Sequence, residues 1–136
     1  MALFYKMRLN NNQSTPLCYK RWYARAYHTE TTTLRQLAER MQDNCTVKRA
    51  DILAVLSELA DTMRDELQNG HKVYIEGLGT FKMGMRSRGV DRPEDYRPDR
   101  DVMGLHIIFS PETTRQQFGR RRTALTEGTT LLPLPK

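Results

Sequence analysis

The hydrophobic period of the chain changes within residues 67–81, LQNGHKVYIEGLGTF. Before this stretch the apolar side chains recur at helical spacing, and Asn69-Gly70 has the residue types that end a helix. After it, apolar and polar residues alternate, and Gly77-Leu78-Gly79 predicts a tight turn between two strands. We therefore expect a long helix that ends at Gly70 and a β-hairpin over residues 72–85.

Two helices are predicted before the hairpin. Thr33 and Gln36 have the spacing of a capping box, and the apolar residues that follow predict a helix over residues 34–42. Thr46 is expected to cap a second, longer helix. One short helix and a small sheet cannot cover the apolar stripe of that helix, so a second copy of the chain is expected to do so. The side chains expected in this dimer interface are Leu37, Ile52, Val55, Leu56, Leu59, Met63, Leu67 and Phe81.

The two ends of the chain predict further elements. Residues 1–30 alternate apolar and polar side chains and contain an aromatic segment at Trp22-Tyr23, which predicts two extra strands. Alternation returns over residues 105–109 and predicts a last strand. Residues 112–122 are expected to form a short basic helix, and residues 123–136 a disordered tail.

The tract between the last two strands, residues 86–101, holds five arginines and five acidic residues without apolar alternation. Such a tract is not expected to supply a core element, and its interleaved charges are typical of a mobile, charge-balanced loop rather than a metal or acid–base site. It is either an ordinary long loop or an arginine-bearing arm. Arginines on an extended ribbon suit contacts with phosphates and with a narrow minor groove.

The charge composition of the chain indicates which kind of partner it is expected to bind. The 136 residues, enough for one domain, carry 22 Lys and Arg against 16 Asp and Glu, a net charge of +6. The excess lies at the ends of the chain, while residues 31–70 are acidic, and this asymmetry favours a polyanionic partner. No apolar run approaches the roughly 18 residues of a membrane span, and no secretory signal is visible. We therefore expect a cytoplasmic protein.

Signatures of enzymes and metal sites are absent from the sequence. Gly77-Leu78-Gly79 begins a dinucleotide-binding pattern, but Lys82 occupies the third glycine position and a strand follows. We expect no catalysis, no cofactor, no metal and no small-molecule substrate. The residues that could ligate a metal lie in separate segments without ligand spacing: His28, His71, His106, Cys18 and Cys45.

Residues 67–81 resemble the L-x-x-G-x-x-V-x-l-x-G-f-G-x-F signature of the bacterial HU and integration host factor proteins, because the glycines, Phe81 and their register to the long helix agree. The resemblance covers about residues 33–112, and residues 1–30 look like the added β segment of a variant HU-like class. It implies an α+β, IHF/HU-like fold in one domain over residues 1–122: added strands over 1–30, an HU-like core over 31–112 with a two-helix dimerisation base, and an arm over 86–103.

The resemblance also implies a function. It predicts a non-catalytic homodimer of the bacterial nucleoid whose arms clasp and condense duplex DNA with little sequence preference. Arg86 falls where the family has a basic residue at the base of the arm, but the family's Arg-Asn-Pro arm tip is missing. The DNA contacts expected on the arm are Lys82, Arg86, Arg88, Arg92, Arg97 and Arg100, and weaker ones are expected at Lys20, Arg21, Arg25, Arg120, Arg121 and Arg122.

Two other functions remain open. An HU-like scaffold could bind a protein partner through the added strands and the face of Trp22 and Tyr23, with weak or no DNA binding. A helix-turn-helix regulator is disfavoured, because a long helix followed by a sheet does not suit docking in a major groove. Joint replacement of Arg86, Arg88 and Arg92 distinguishes DNA binding from the scaffold function, because it would abolish DNA binding and leave the capture of a protein partner intact.

Overall fold

The computed structural model describes residues 2–115 and 121–135. The fold is α+β, as predicted: two strands are followed along the chain by a two-helix hairpin and then by a second, antiparallel sheet. The elements are β1 (Ala2–Leu9), β2 (Trp22–Tyr27), α1 (Leu34–Asn44), α2 (Arg49–Gln68), β3 (Val73–Ile75), β4 (Gly79–Ser87), α3 (Pro98–Asp101), β5 (Val102–Pro111), β6 (Thr113–Arg115), β7 (Arg121–Thr123) and β8 (Thr130–Pro133), with 3-10 turns at Pro93–Asp95 and Ala124–Thr126.

The start of α1 is the predicted capping box. The Thr33 N–H donates to Gln36 Oε1 at 2.8 Å, and the Gln36 N–H donates back to Thr33 Oγ1 at 3.4 Å. The helix runs two residues further than expected, to Asn44. Each partner satisfies a backbone donor that the first turn leaves unpaired, so the local sequence is sufficient to fix this end.

The predicted cap of α2 at Thr46 is wrong, because the N-cap residue is Lys48, which makes no side-chain capping bond. The end of α1 satisfies the first turn instead. The Arg49 N–H donates to Gln42 Oε1 at 2.8 Å, and Arg49 Nη1 pairs with Glu39 Oε1 at 2.7 Å. A tertiary contact between the helices thus replaces the local cap.

The β-hairpin is formed as predicted, with Val73 opposite Phe81 and Ile75 opposite Gly79. Strand β5 pairs on the other side of β4, and the rings of Phe81 and Phe109 lie 4.7 Å apart. The turn needs glycine at Gly79, where φ is +145°. A Cβ there would overlap the carbonyl oxygen of Ser110 and lie 2.8 Å from the Cα of Pro111.

Glu112 ties this turn to the end of β5, and the predicted helix over residues 112–122 is wrong where the structure describes it. Glu112 Oε1 accepts from the Tyr74 hydroxyl at 2.7 Å, Oε2 accepts from the Gly77 N–H at 2.5 Å, and the Glu112 N–H donates to the Leu78 carbonyl at 2.9 Å. The hydrogen bond to Glu112 raises the pKa of Tyr74. The chain continues as the β6–β7 pair, in which Thr113 faces Thr123.

The two added strands are confirmed, and β1 pairs antiparallel with β2. The prediction of a disordered tail is wrong for residues 130–133, because β8 pairs parallel with β1 and places Leu131 opposite Leu3. Strand β1, which is distant from the tail in sequence, thus provides the strand with which the tail pairs. The resulting sheet has the order β2-β1-β8.

Little of the apolar surface is buried in a single chain. The accessible surface is 12332 Å², whereas a folded monomer of 15.9 kDa exposes about 7,400 Å². The buried hydrophobic side chains among the described residues are Ala38, Ile52 and Leu67. A core of this size is small for the chain, and exposed apolar side chains occur on the helices, on β4 and β5, and on the β2-β1-β8 sheet at the chain ends.

Candidate nucleic-acid interface

The alternation of β4 separates a cationic face from an apolar one. Phe81 and Met83 line an apolar hollow of about 360 Å³ against Met63 of α2. Because successive side chains of a strand point to opposite faces, Lys82 and Arg86 lie on the other face, away from the helix. Both are exposed.

Sequence reasoning missed His106, which lies on the same face of the sheet as Lys82 and Arg86. It stands opposite Gly84 in the β4–β5 register. Its imidazole Nε2 and Cε1 lie 2.6 Å and 2.9 Å from the position that a Cβ of Gly84 would take, so the ring fills the space above the glycine. A glycine within an alternating strand, here Gly84, is the sequence signal for a close approach by a neighbour on the next strand. That this neighbour is His106 depends on the strand register.

Beyond the paired strands, residues 88–101 fold as a compact loop around Asp101. This side chain is 2% exposed, so the tract buries a carboxylate, while it contributes none of the buried hydrophobic side chains of the described residues, as predicted. Asp101 Oδ1 accepts from Arg100 Nε at 2.9 Å, and Oδ2 accepts from Arg100 Nη2 and from the Arg97 N–H, both at 2.9 Å. The Asp101 carbonyl accepts from the Arg88 N–H at 2.8 Å and closes the loop.

These contacts explain the electrostatics of the loop. The hydrogen bonds from Arg100 and from the Arg97 backbone lower the pKa of Asp101 to about 2, so the carboxylate is charged at neutral pH. Asp101 in turn raises the pKa of Arg100, whose Nη2 also donates to the Asp95 carbonyl at 2.8 Å. Arg100 is therefore partly used in holding the loop together, which sequence reasoning did not anticipate.

The other predicted arm residues keep their charged groups free for a ligand. Arg86, Arg88, Arg92 and Arg97 are exposed, and no carboxylate of the described residues lies within 4 Å of their guanidinium groups. The loop also presents exposed acidic side chains, which reduce its positive potential. These are Asp91, Glu94, Asp95 and Asp99.

The predicted contacts outside the arm lie on other elements. Lys20 and Arg21 are in the turn before β2, where Lys20 has φ +57° and its Nζ lies 5.4 Å from the centre of the Tyr19 ring. Arg25 is exposed on β2, and Arg122 is exposed on β7. Arg120 and the side chain of Arg121 lie outside the described residues.

The residues predicted for the dimer interface fall into three groups by exposure. Ile52 and Leu67 are already buried within one chain. Val55 is 65% exposed and Leu59 is 39% exposed, so the outer part of the stripe on α2 has no cover. Leu37 is also exposed, and the remaining three are half-buried: Leu56, Met63 and Phe81.

Within residues 2–115 and 121–135, no three His, Cys, Asp or Glu side chains are grouped as metal ligands. No helix in the described part of the chain is long and apolar enough to cross a membrane.

Comparison with known proteins gives a family and several similar structures. The model of a family described as "HU domain fused to wHTH, Ig, or Glycine-rich motif" matches residues 1–123. A putative bacterial DNA-binding protein from Bacteroides vulgatus ATCC 8482 is 14% identical, with a TM-score of 0.62 over 97% of this chain and 49% of that chain. An Anabaena HU–DNA cocrystal structure is 18% identical, with a TM-score of 0.42 over 58% of this chain and 85% of that one. This chain thus spans about half the length of the Bacteroides protein, and no curated protein matches it.

Proposed function

The chain belongs to the HU-HIG family, in which an HU domain is fused to a wHTH, Ig or glycine-rich motif, and we propose on that premise that it is a non-catalytic protein that binds duplex DNA. Its place of action would be the bacterial nucleoid. The Bacteroides protein of similar fold is itself described as a putative DNA-binding protein. The name of the family supports an architectural function rather than a catalytic one.

The observation that carries this proposal is a set of cations without acidic partners on β4 and on the loop over residues 88–101. Lys82 and Arg86 share the sheet face opposite α2, and Arg88, Arg92 and Arg97 follow on the loop without a carboxylate partner within 4 Å among the described residues. Exposed guanidinium groups without acidic partners suit phosphate oxygens, whose neutralisation releases counterions and supplies sequence-independent affinity. This supports binding with little sequence preference.

We propose that the duplex is bound with little bending. Sharp kinks in architectural complexes come from apolar wedges between base steps, and proline is one of these wedges. In this loop Pro93 begins a 3-10 turn and Pro98 begins α3, the helix position that proline favours. Both prolines thus begin short helical turns of the loop, which favours a structural use over insertion between base steps.

The functional unit is proposed to be a homodimer. Val55 and Leu59 on α2, together with the hollow between α2 and β4, form an apolar surface that water would otherwise cover. The accessible surface of the single chain exceeds that of a typical monomer of its mass by more than half. A second copy of the same stripe offers complementary apolar cover, as in most closed oligomers.

The test is a titration of two unrelated 30-base-pair duplexes followed by fluorescence anisotropy at several salt concentrations. Log affinity should fall with log salt at a slope of about −0.9 per phosphate contacted, and both duplexes should bind alike. Arg86→Gln with Arg92→Gln should weaken binding and flatten the slope. The matched control, Arg35→Gln with Lys48→Gln on the helices, removes the same charge and should change neither. Absence of duplex binding at low salt by a folded dimer would instead favour the protein-binding scaffold.

A further inference from the structure

The sheet at the chain ends carries a second cationic surface, distinct from the arm. In the β1–β2 register, Phe4 faces Tyr27, Lys6 faces Arg25 and Arg8 faces Tyr23. Residues opposite each other in a ladder share a face, and alternate residues along a strand share it too. These six side chains therefore lie on one side of the sheet, which we call the cationic–aromatic face.

This face carries positive charge without local compensation. Lys6, Arg8 and Arg25 are exposed, and none has a carboxylate within 4 Å among the described residues. Strands β1, β2 and β8 contain no aspartate or glutamate. A ligand that binds here is thus expected to be an anion.

The face is concave, with two hollows that share Arg8 and Arg25. One, of about 660 Å³, extends toward the polar loop after β1 and is also lined by Tyr23. The other, of about 400 Å³, is lined by Lys6 and Tyr27. Because the two cations line both hollows, the positive charge lies between the two tyrosines.

The tyrosines present their rings to this concave surface. Tyr23 is 40% exposed and Tyr27 is 42% exposed. A hydrogen bond with Cys18 raises the pKa of Tyr23. The two residues are four apart on β2, which places them about 13 Å from each other with Arg25 between them.

We propose that the cationic–aromatic face binds single-stranded nucleic acid, with phosphates at Lys6, Arg8 and Arg25 and bases stacked on Tyr23 and Tyr27. A duplex cannot offer its base faces to the rings, because they are already stacked within it. Single strands can, and a basic groove with interspersed aromatic rings is the usual means of binding them. This activity goes beyond the proposed duplex binding, because it is placed on β1 and β2 rather than on β4 and the loop over residues 88–101.

The experiment measures anisotropy of labelled 20-mers of oligo-dT and oligo-U with the full chain. Tyr23→Leu and Tyr27→Leu should each weaken binding by about five- to 150-fold, the range expected when one stacked base is lost. Tyr23→Phe and Tyr27→Phe keep the rings and should bind like the unaltered chain. Trp22→Leu is the matched control, because this exposed aromatic residue lies on the opposite side of β2. Circular dichroism checks that each variant is folded.

A comparison with duplex binding separates this inference from the proposed function. Lys6→Gln with Arg8→Gln should abolish single-strand binding and leave the duplex affinity within about twofold, whereas Arg86→Gln with Arg92→Gln should do the reverse. Equal binding of oligo-dT and oligo-U supports recognition of bases and phosphates alone, and preference for oligo-U adds a contact to the 2′-hydroxyl. The inference is overturned if folded Tyr→Leu variants bind as the unaltered chain does, if the Lys6 and Arg8 changes abolish duplex binding as well, or if polyglutamate displaces the 20-mers as well as unlabelled oligo-dT does.

Discussion

Replacement of Gly79 by alanine tests how the turn between β3 and β4 is built. Two costs follow from the structure. At φ +145° an alanine is strained by about 1–3 kcal/mol. Its Cβ would also overlap the Ser110 carbonyl oxygen and lie 2.9 Å from the Glu112 nitrogen, and moving this backbone costs about 1–3 kcal/mol more. We expect Gly79→Ala to lower the free energy of unfolding by about 2–6 kcal/mol, the sum of the two ranges.

Two other glycines separate these costs. Gly77 has φ +82° but nothing within 4 Å of its Cβ position, so Gly77→Ala should cost only the conformational part, about 1–2 kcal/mol. Gly104 on β5 has open space and no positive φ, so Gly104→Ala should be neutral or stabilise by up to about 1 kcal/mol.

Urea unfolding followed by circular dichroism measures all three variants at one fixed protein concentration, because dissociation of a dimer would contribute to the midpoint. The reasoning is refuted if Gly79→Ala is no more destabilising than Gly77→Ala. It is also refuted if Gly104→Ala is as damaging as Gly79→Ala, because the cost would then not depend on the backbone beside the turn.

Three further predictions concern the loop and the dimer. Asp101→Asn should weaken duplex binding about tenfold, because it removes hydrogen bonds to a charged group that position Arg97 and Arg100. Asp99→Asn, which makes the same change of charge at an exposed site, should leave the anisotropy titration unchanged or strengthen binding; equal effects of the two would show that charge alone matters. The pKa of Asp101, about 2 against an ordinary 3.8, is lowered in the folded chain, so its contribution to stability is complete above about pH 4 and is lost as pH falls toward 2. Amide exchange at Arg88 should lose protection over that interval in the unaltered chain, and an unchanged protection factor would contradict this assignment. Leu59→Asp should unfold the protein, and a folded monomer in sedimentation would contradict the proposed dimer.

The parts of the fold that the sequence predicts are those fixed by neighbours in the chain. The capping box at Thr33 and the hairpin over residues 72–85 depend on contacts only a few residues apart, and both form as expected. The family signature over residues 67–81 likewise lies within one short segment.

The parts that sequence reasoning missed depend on contacts between distant segments. The first turn of α2 is capped by Gln42 of α1 rather than by Thr46. Glu112 accepts hydrogen bonds from Tyr74 and Gly77 instead of lying in the predicted helix. Asp101 looked like one more charge in a polar tract, because its burial depends on how Arg97 and Arg100 fold around it. Polar residues of this kind have no periodic pattern that would distinguish a buried carboxylate from a solvated one.

For the candidate site, the basic residues could be found from composition and family signature, but their grouping could not. Lys82 and Arg86 lie in a different sheet from the cations of β1 and β2. The face that each cation occupies depends on strand register, which is set by tertiary pairing.

The parallel pairing of β8 with β1 has a consequence for the order of folding. Thr130 pairs with Ala2, so this ladder closes a loop that contains almost the whole chain, while β1 and β2 can form their hairpin with a short connection. During synthesis β1 and β2 emerge before β8. We therefore expect β8 to join last in folding and to detach first in local opening, which would expose one edge of β1 while the β1–β2 ladder remains formed.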